Sequence, residues 1–211
     1  MLKILRNLTG STTRNGTRNT TDTATKKKSK GYSLLELLVC TSLLGILCMV
    51  LMPDLGDWKD RAAVERVTEE YIRLISFARI AAVTSGQMVT FCRSSNGKKC
   101  DGSWSEGTII FSDSNRNRSM DGNDELLRYS PQIDKAVSVK FRSFRNRQYL
   151  QITPLGFTDY QNGNFTFCPQ NMDNRAAQQI IINTLARTRR AQDTNGDGVR
   201  ENSRGKPLSC P

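Results

Sequence analysis

Histidine is absent from this chain of 211 residues. That removes the side chain most often used as a general base or metal ligand near neutral pH, and it excludes Ser–His and Cys–His nucleophile pairs. The six cysteines include no C-x-x-C pair, so neither a thioredoxin-like nor a zinc-type spacing is present. Acid is scarce at the start: Asp22 is the one carboxylate before Glu36. Nothing in the pattern organises paired carboxylates for acid–base work. These absences point away from an enzyme and away from a small-molecule substrate, and toward binding or assembly. Long apolar runs are also scarce. There is one, Tyr32–Met52, and a lone acid, Glu36, sits inside it.

As a helix that run reaches roughly 31 Å at 1.5 Å per residue, enough to span a bilayer's hydrocarbon core. An ionised side chain at the centre of such a span costs roughly 2.5–3.5 kcal/mol, so Glu36 requires a reason. Lys26, Lys27, Lys28 and Lys30 precede the run, which by the positive-inside rule keeps this flank cytoplasmic and exports the C-terminal part. A cleaved secretory signal is the competing reading. The run is too long for its apolar region, and no small-residue cleavage site follows. A membrane anchor fits better.

The residues Lys30-Gly31-Tyr32-Ser33-Leu34-Leu35-Glu36-Leu37-Leu38, followed by Pro53, resemble the leader and helix start of type IV prepilins and type II secretion pseudopilins. The resemblance implies cleavage between Gly31 and Tyr32 by a prepilin peptidase and N-methylation of Tyr32, where phenylalanine is the commoner residue. It gives Pro53 the place of the family's helix proline. It also assigns Glu36 an assembly role, its carboxylate meeting the terminal amine of a neighbouring subunit and so relieving its burial cost. Residues 1–31 would then be a cytoplasmic leader, and residues 32–53 the transmembrane and assembly half of a long helix. The rest would lie in the periplasm of a bacterial inner-membrane protein that enters a pilus or pseudopilus. A leader of this length is long for the family, which suggests a minor subunit or an upstream start codon.

The leader holds eight cations against Asp22, more than half of the chain's formal net charge of +11. Its loss would leave a mildly basic protein, so whole-chain charge says nothing about nucleic acid. Residues 9–25, rich in Thr, Ser and Asn, carry too little apolar surface to fold.

Beyond Pro53, Val64, Val67, Tyr71, Leu74, Ile75, Ala78 and Ala82 recur at spacings of three and four. This predicts an amphipathic helical half over 54–86, ended by Thr84-Ser85-Gly86. Strands are predicted near Gln87–Cys92, Thr108–Ser112, Leu126–Tyr129, Ala136–Phe144, Gln148–Thr153, Asn164–Cys168 and Gln179–Leu185. Val137, Val139 and Phe141 alternate with Ser138, Lys140 and Arg142 as in a half-buried strand. The expected class is α+β, a pilin fold in which one long N-terminal helix packs on a globule of short antiparallel strands over 87–211.

Cys40 and Cys48 fall within the apolar run as packing residues. Cys92, Cys100, Cys168 and Cys210 lie in the exported part, where an oxidising compartment permits disulfides. Four cysteines allow three pairings. Cys92–Cys100, closing the Arg93–Lys99 loop, and Cys168–Cys210, stapling the tail to a strand, are favoured over a metal site.

A second resemblance lies in the globule. It is carried by Trp104-x-x-Gly107 leading to Asp113-x-Asn115, by Gly156-Phe157, by Gly163-Asn164-Phe165-Thr166-Phe167-Cys168, and by Ile180–Asn183 leading to Leu185-Ala186-Arg187-Thr188-Arg189. It points to the minor pilin and pseudopilin H family, with FimT-, FimU- and GspH-like members. Where the family's last strand ends in Gly-Arg-x-Arg, Ala186 replaces the glycine, Arg187 and Arg189 match, and Arg190 adds a charge. In FimT-like members these arginines are implicated in binding DNA during natural transformation, which implies double-stranded DNA as a partner here. Residues 175–211 and 135–147 are both rich in cations, and clustered arginines give salt-sensitive, sequence-independent affinity for phosphates. Solvated strand edges that discourage aggregation explain the same charges.

Asp193-Thr194-Asn195-Gly196-Asp197-Gly198 matches the first half of a calcium loop. Position twelve is Arg204 rather than glutamate, so the expectation is no metal and no cofactor. Asx-rich turns account for this stretch and for the looser cluster of Asp113, Asn115, Asp121, Asn123 and Asp124. The expected function is a minor type IV pilin, with other pilins and the peptidase as partners and DNA contact through Arg187, Arg189 and Arg190. The alternative is a minor pseudopilin of type II secretion.

Overall fold

The computed structural model describes residues 31–51 and 55–210. The leader and Pro53 lie outside the described residues. The chain divides into two compact units, Met1–Cys48 and Met49–Pro211.

The first unit is carried by α1, Leu34–Leu51, 18 residues. Ser33 begins it. Its Oγ accepts from the Glu36 N–H at 3.1 Å, and its carbonyl accepts from Leu37 N at 3.1 Å. The Thr41 and Ser42 hydroxyls donate to the carbonyls of Leu38 (3.1 Å) and Val39 (2.9 Å). The hydroxyls of the run are thus satisfied within the helix. Among the described residues no helix is long and apolar enough to cross a membrane. The apolar run continues to Met52, outside those residues.

In the second unit α2 spans Leu55–Ser85. Gly86, at φ +67°, ends it, its N–H reaching the Ala82 carbonyl at 3.1 Å. This is the left-handed cap that glycine makes without strain. All seven residues of the expected apolar stripe are buried. They pack against two four-stranded antiparallel sheets, one ordered β3-β2-β1-β5 and the other β4-β6-β7-β8. The strands are β1 Val89–Arg93, β2 Gly107–Ser112, β3 Leu126–Pro131, β4 Val137–Ser143, β5 Tyr149–Ile152, β6 Gly163–Pro169, β7 Gln178–Ile182 and β8 Thr188–Arg190.

Seven strands stand where the sequence places them, within three residues at each end. The fourth stops at Ser143 because Arg145 and Asn146 turn left-handed at φ 58° and 55°. The seventh stops at Ile182 because the Asn183 Oδ1 accepts from the N–H groups of Leu185 and Arg187 and folds the chain back. That turn creates β8, which the sequence pattern does not announce. β6 starts at Gly163, opposite Ser143. A Cβ there would stand 2.2 Å from the Arg142 carbonyl oxygen, so only glycine permits the two backbones to meet.

The core centres on six aromatic rings. Tyr71 of α2 lies 5.1 Å from both Phe165 and Phe167 and 6.1 Å from Phe91, measured between ring centroids. Trp104 and Phe141 complete the cluster. The Tyr71 hydroxyl donates to the Trp104 carbonyl at 2.6 Å, and burial pushes its phenol well above the ordinary range. Smaller clusters cover the outer faces. Cys92, Ile109 and Phe111 lie under Cys100, Met120 and Tyr149, while Cys168, Ala177, Ala191 and Leu208 gather beside Cys210.

The structure joins Cys92 to Cys100 and Cys168 to Cys210, at sequence separations of 8 and 42. In the loop-entropy account the longer closure contributes about 4 kcal/mol and the shorter about 2.5 kcal/mol.

Tyr71→Phe keeps the ring and removes the donor, leaving the Trp104 carbonyl unpaired. We expect a loss of about 1–3 kcal/mol by thermal or denaturant unfolding. An unchanged midpoint would show that water replaces the hydroxyl.

Candidate functional site

Two regions carry chemistry, one at the start of α1 and one at the β8 edge of the second sheet. At the first, Tyr32 is 84% exposed, and Glu36 occupies the first helical turn, capped by Ser33. A carboxylate there faces the positive end of the helix dipole. Ser33-x-x-Glu36 is also the pattern of a capping box, a local reason for this serine and acid that is independent of assembly. Among the described residues no cation bonds the Glu36 carboxylate.

At the second region, cross-strand pairing decides which way each arginine points. Directly opposed residues of antiparallel strands share a face. Phe141, Phe165, Ile180 and Arg190 are opposed in turn and form a row on the core side. Arg142, Asn164, Ile181 and Arg189 form the adjacent row on the outer side. Arg190 therefore departs from its expected role. It bonds Glu65 at 2.5 Å and also Glu69, both on α2, and its side chain is 33% exposed. Gln178 donates to the same Glu65 carboxylate. Arg187 and Arg189 are exposed and have no ion-pair partner among the described residues.

Ala186, standing at the family's glycine position, adopts φ +52°. The turn keeps its left-handed backbone despite the methyl group, at a cost of roughly 1–2 kcal/mol. That methyl is buried in the core.

Arg142 and Arg189 are three strands apart, roughly 14 Å at the usual strand spacing. Beside them an open groove of about 670 Å³ runs between the outer face and the tail, lined in part by Lys140, Arg142, Asn164, Gln179 and Arg204. The two basic stretches of the sequence thus meet on one surface.

Glu65 shows the electrostatic balance. Burial alone would raise its pKa, but the hydrogen bonds from Gln178 and Arg190, with the charges of Arg190 and Arg200, outweigh this and hold it below the usual carboxylate range. Glu65 and Glu69 stand one turn apart on α2, so each arginine–glutamate contact also screens their mutual repulsion. That i, i+4 acid pair was the sequence signal for a cation partner.

The acidic stretches are placed as well. Asp113 is fully buried. Its Oδ2 accepts from Thr90 Oγ1 (2.6 Å), Gln151 Nε2 (2.8 Å) and Arg118 N (3.2 Å), tying β1 and β5 to the loop that follows β2. Asp121 accepts from Asn115 and Asn117, and Asp124 from Ser114 N and Asp121 N. The Asp193–Asp197 stretch forms the loop after β8, with Gly196 and Gly198 at φ 80° and 86°.

Residues 67–186 match the family described as Type II transport protein GspH. The chain belongs to that family. Residues 26–52 match the prokaryotic N-terminal methylation motif, which contains Gly31, Tyr32 and Glu36. A fimbrial protein of Pseudomonas aeruginosa is 25% identical over 84 residues, covering 40% of this chain and 54% of the relative. The chain thus spans about half the length of the curated relatives it matches. The crystal structure of the Pseudomonas aeruginosa type IV minor pilin FimU shares the fold, at 17% identity and a TM-score of 0.50, covering 75% of this chain and 100% of that one. The minor pseudopilin EpsH of the Vibrio cholerae type 2 secretion system stands further off, at 8% identity and a TM-score of 0.44, with 60% and 94% of the two chains covered. This member of the GspH family is matched only as far as Ala186. Its β8 arginines and the tail lie beyond the family match.

Arg190→Gln leaves two facing carboxylates on α2 and should lower stability by about 1–2 kcal/mol, a figure already discounted for partial exposure. Arg189→Gln should leave stability unchanged. Because the folded pKa of Glu65 is depressed, its contribution is present above the ordinary value of 4.5 and lost as pH falls through the folded value. The melting difference between wild type and Arg190→Gln should therefore shrink below pH 4.5. A difference that persists at low pH would mean the arginine acts by packing.

Proposed function

We propose that this chain is a minor type IV pilin, released from its leader between Gly31 and Tyr32 and assembled into a fibre through α1. The observation that carries this is the match to the methylation motif over residues 26–52, placed at the start of a helix whose apolar side chains are exposed. Leu34, Leu35, Leu37, Leu38, Leu43, Leu44 and Leu47 are each more than half exposed. Covering a leucine is worth roughly 1.5–3 kcal/mol, so such a helix is stable only among lipid tails or neighbouring helices. Before assembly the inner membrane supplies that cover, and afterwards other pilins do. Within the bundle, the Glu36 carboxylate pairs with the methylated amine of a neighbour's Tyr32. This pairing selects the axial register of the subunit, because an unpaired charge in an apolar bundle is strongly unfavourable. The alternative is a minor pseudopilin of a type II secretion system, which would use the same helix in a shorter fibre.

Glu36→Val should leave the amount of membrane-inserted protein unchanged and reduce its recovery in sheared fibres. Undiminished incorporation removes the assembly role. A deletion strain that keeps surface pili but loses exoprotein release favours the secretion alternative.

A second reading concerns DNA. The opposed row that places Arg142 and Arg189 on one outer face, with Arg187 exposed beside them, supports contact with the phosphate backbone of a duplex. Such contact would be weak, independent of sequence and salt-sensitive. Mobility shifts of duplex DNA at low salt should appear with wild-type protein and weaken in Arg187→Gln/Arg189→Gln. No shift with wild type ends this reading.

A further inference from the structure

The loop after β8 brings three carboxylates together, and the third is one that the motif did not supply. Oxygens of Asp193, Asp197 and Glu201 all lie within 4.8 Å of one another. They are the one such group of three among the described residues. Asp193 and Asp197 are exposed, whereas Glu201 is only 7% exposed. Glu201 is held by bridges to Gln192 and Pro207. Its Oε2 accepts from Thr194 N (2.7 Å) and Thr194 Oγ1 (2.9 Å). Its Oε1 is buried and has no hydrogen-bond partner. A buried carboxylate oxygen with nothing to accept from is unfavourable unless the charge is paired or ligates a metal. Among the described residues no lysine or arginine pairs with any of the three acids, and the nearest arginine in sequence, Arg200, donates instead to the Ala177 carbonyl at 3.1 Å.

We propose that Asp193, Asp197 and Glu201 form a calcium site that clasps the C-terminal tail to the end of β8. The chemistry selects the ion. All three donors are hard oxygens. Calcium binds such ligands at 2.3–2.6 Å in flexible geometry, so oxygens on opposite sides of the ion stand about 4.8 Å apart. Magnesium, with bonds near 2.1 Å and a strict octahedron, would need a tighter cage. Zinc and copper favour nitrogen and sulfur donors, which this loop lacks. Glycines at positions four and six let the loop curl, and the N–H groups of Gly196 and Gly198 reach the Asp193 carboxylate at 2.7 Å and 2.8 Å. The absence of an acid at position twelve, where Arg204 stands, argued against calcium on sequence alone. Glu201 at position nine takes that place from the strand-like segment that returns beneath the loop.

The consequence is local order. The tail from Asp193 to Cys210 is tied at one end by the disulfide to Cys168 and at the other by β8. A cation there would neutralise three converging charges and hold the tail, which brings Arg204 to the groove beside the outer face, to the end of β8.

The test is calorimetric titration of calcium chloride into the full chain in detergent, after chelation, with Glu201→Gln and Asp197→Asn alongside. The exposed Asp197→Asn keeps an oxygen to accept from Val199 N and gives up only the surface bond from Asn195, and so guards against misfolding. We expect one ion per chain with a dissociation constant around 0.1–1 mM, as in extracellular modules. Affinity should fall at least tenfold in both variants, and calcium at 5 mM should raise the melting temperature of wild type alone by a few degrees. Absence of binding up to 10 mM, equal binding of magnesium, or binding that survives both substitutions but is lost in Asp121→Asn would overturn the assignment.

Discussion

The hydroxyl of Tyr71, donating to the Trp104 carbonyl from the middle of α2, fixes the helix against two sheets at once. Its ring touches Phe91 of one sheet and Phe165 and Phe167 of the other. The two sheets are not hydrogen-bonded to each other as one. What aligns them is the shared apolar stripe of α2 and the aromatic cluster around this tyrosine. The burial of that stripe, and the interdigitation that native packing density requires, set the position of every strand edge. The β8 hairpin is downstream of this arrangement, since Arg190 can reach Glu65 and Glu69 only when the second sheet lies where the aromatic core puts it.

The cations of the C-terminal part are thereby divided between structure and surface. Arg190 is spent on α2. Arg189 remains on the outer face, in line with Arg142 from a distant part of the chain, and Arg187, just before β8, is exposed. Net charge does not distinguish these roles, because a charge that is paired under a sheet and a charge that faces water count the same in a sum. The acids beyond β8 obey the same logic. Asp193 and Asp197 sit at the surface, while Glu201 is drawn beneath the loop by bridges to Gln192 and Pro207, and only there does its unpaired oxygen become informative.

Some of this was legible from local pattern. The seven positions from Val64 to Ala82 repeat over enough turns that their periodicity was unmistakable, and all seven are buried. The alternation of Val137, Val139 and Phe141 was likewise long enough to read. β8 was not, because three residues with two arginines show neither alternation nor apolar content. The ends of the fourth and seventh strands were missed because Arg145 turns left-handed with no local signal, and because the turn chemistry of Asn146 and Asn183 was overlooked beside the apolar alternation before it.

The sequence by itself determined the elements whose cause is local: the apolar helix with its capped first turn, the amphipathic helix with its glycine stop, and most of the strands. It also carries the GspH family match over residues 67–186 and the methylation motif, which is a contiguous string. The tertiary structure alone decided which face Arg189 and Arg190 occupy, that Arg190 belongs to α2, and that Glu201 is buried beneath the two aspartates of the loop before it. Those outcomes depend on cross-strand register and on burial, which are set by contacts between residues far apart in the chain.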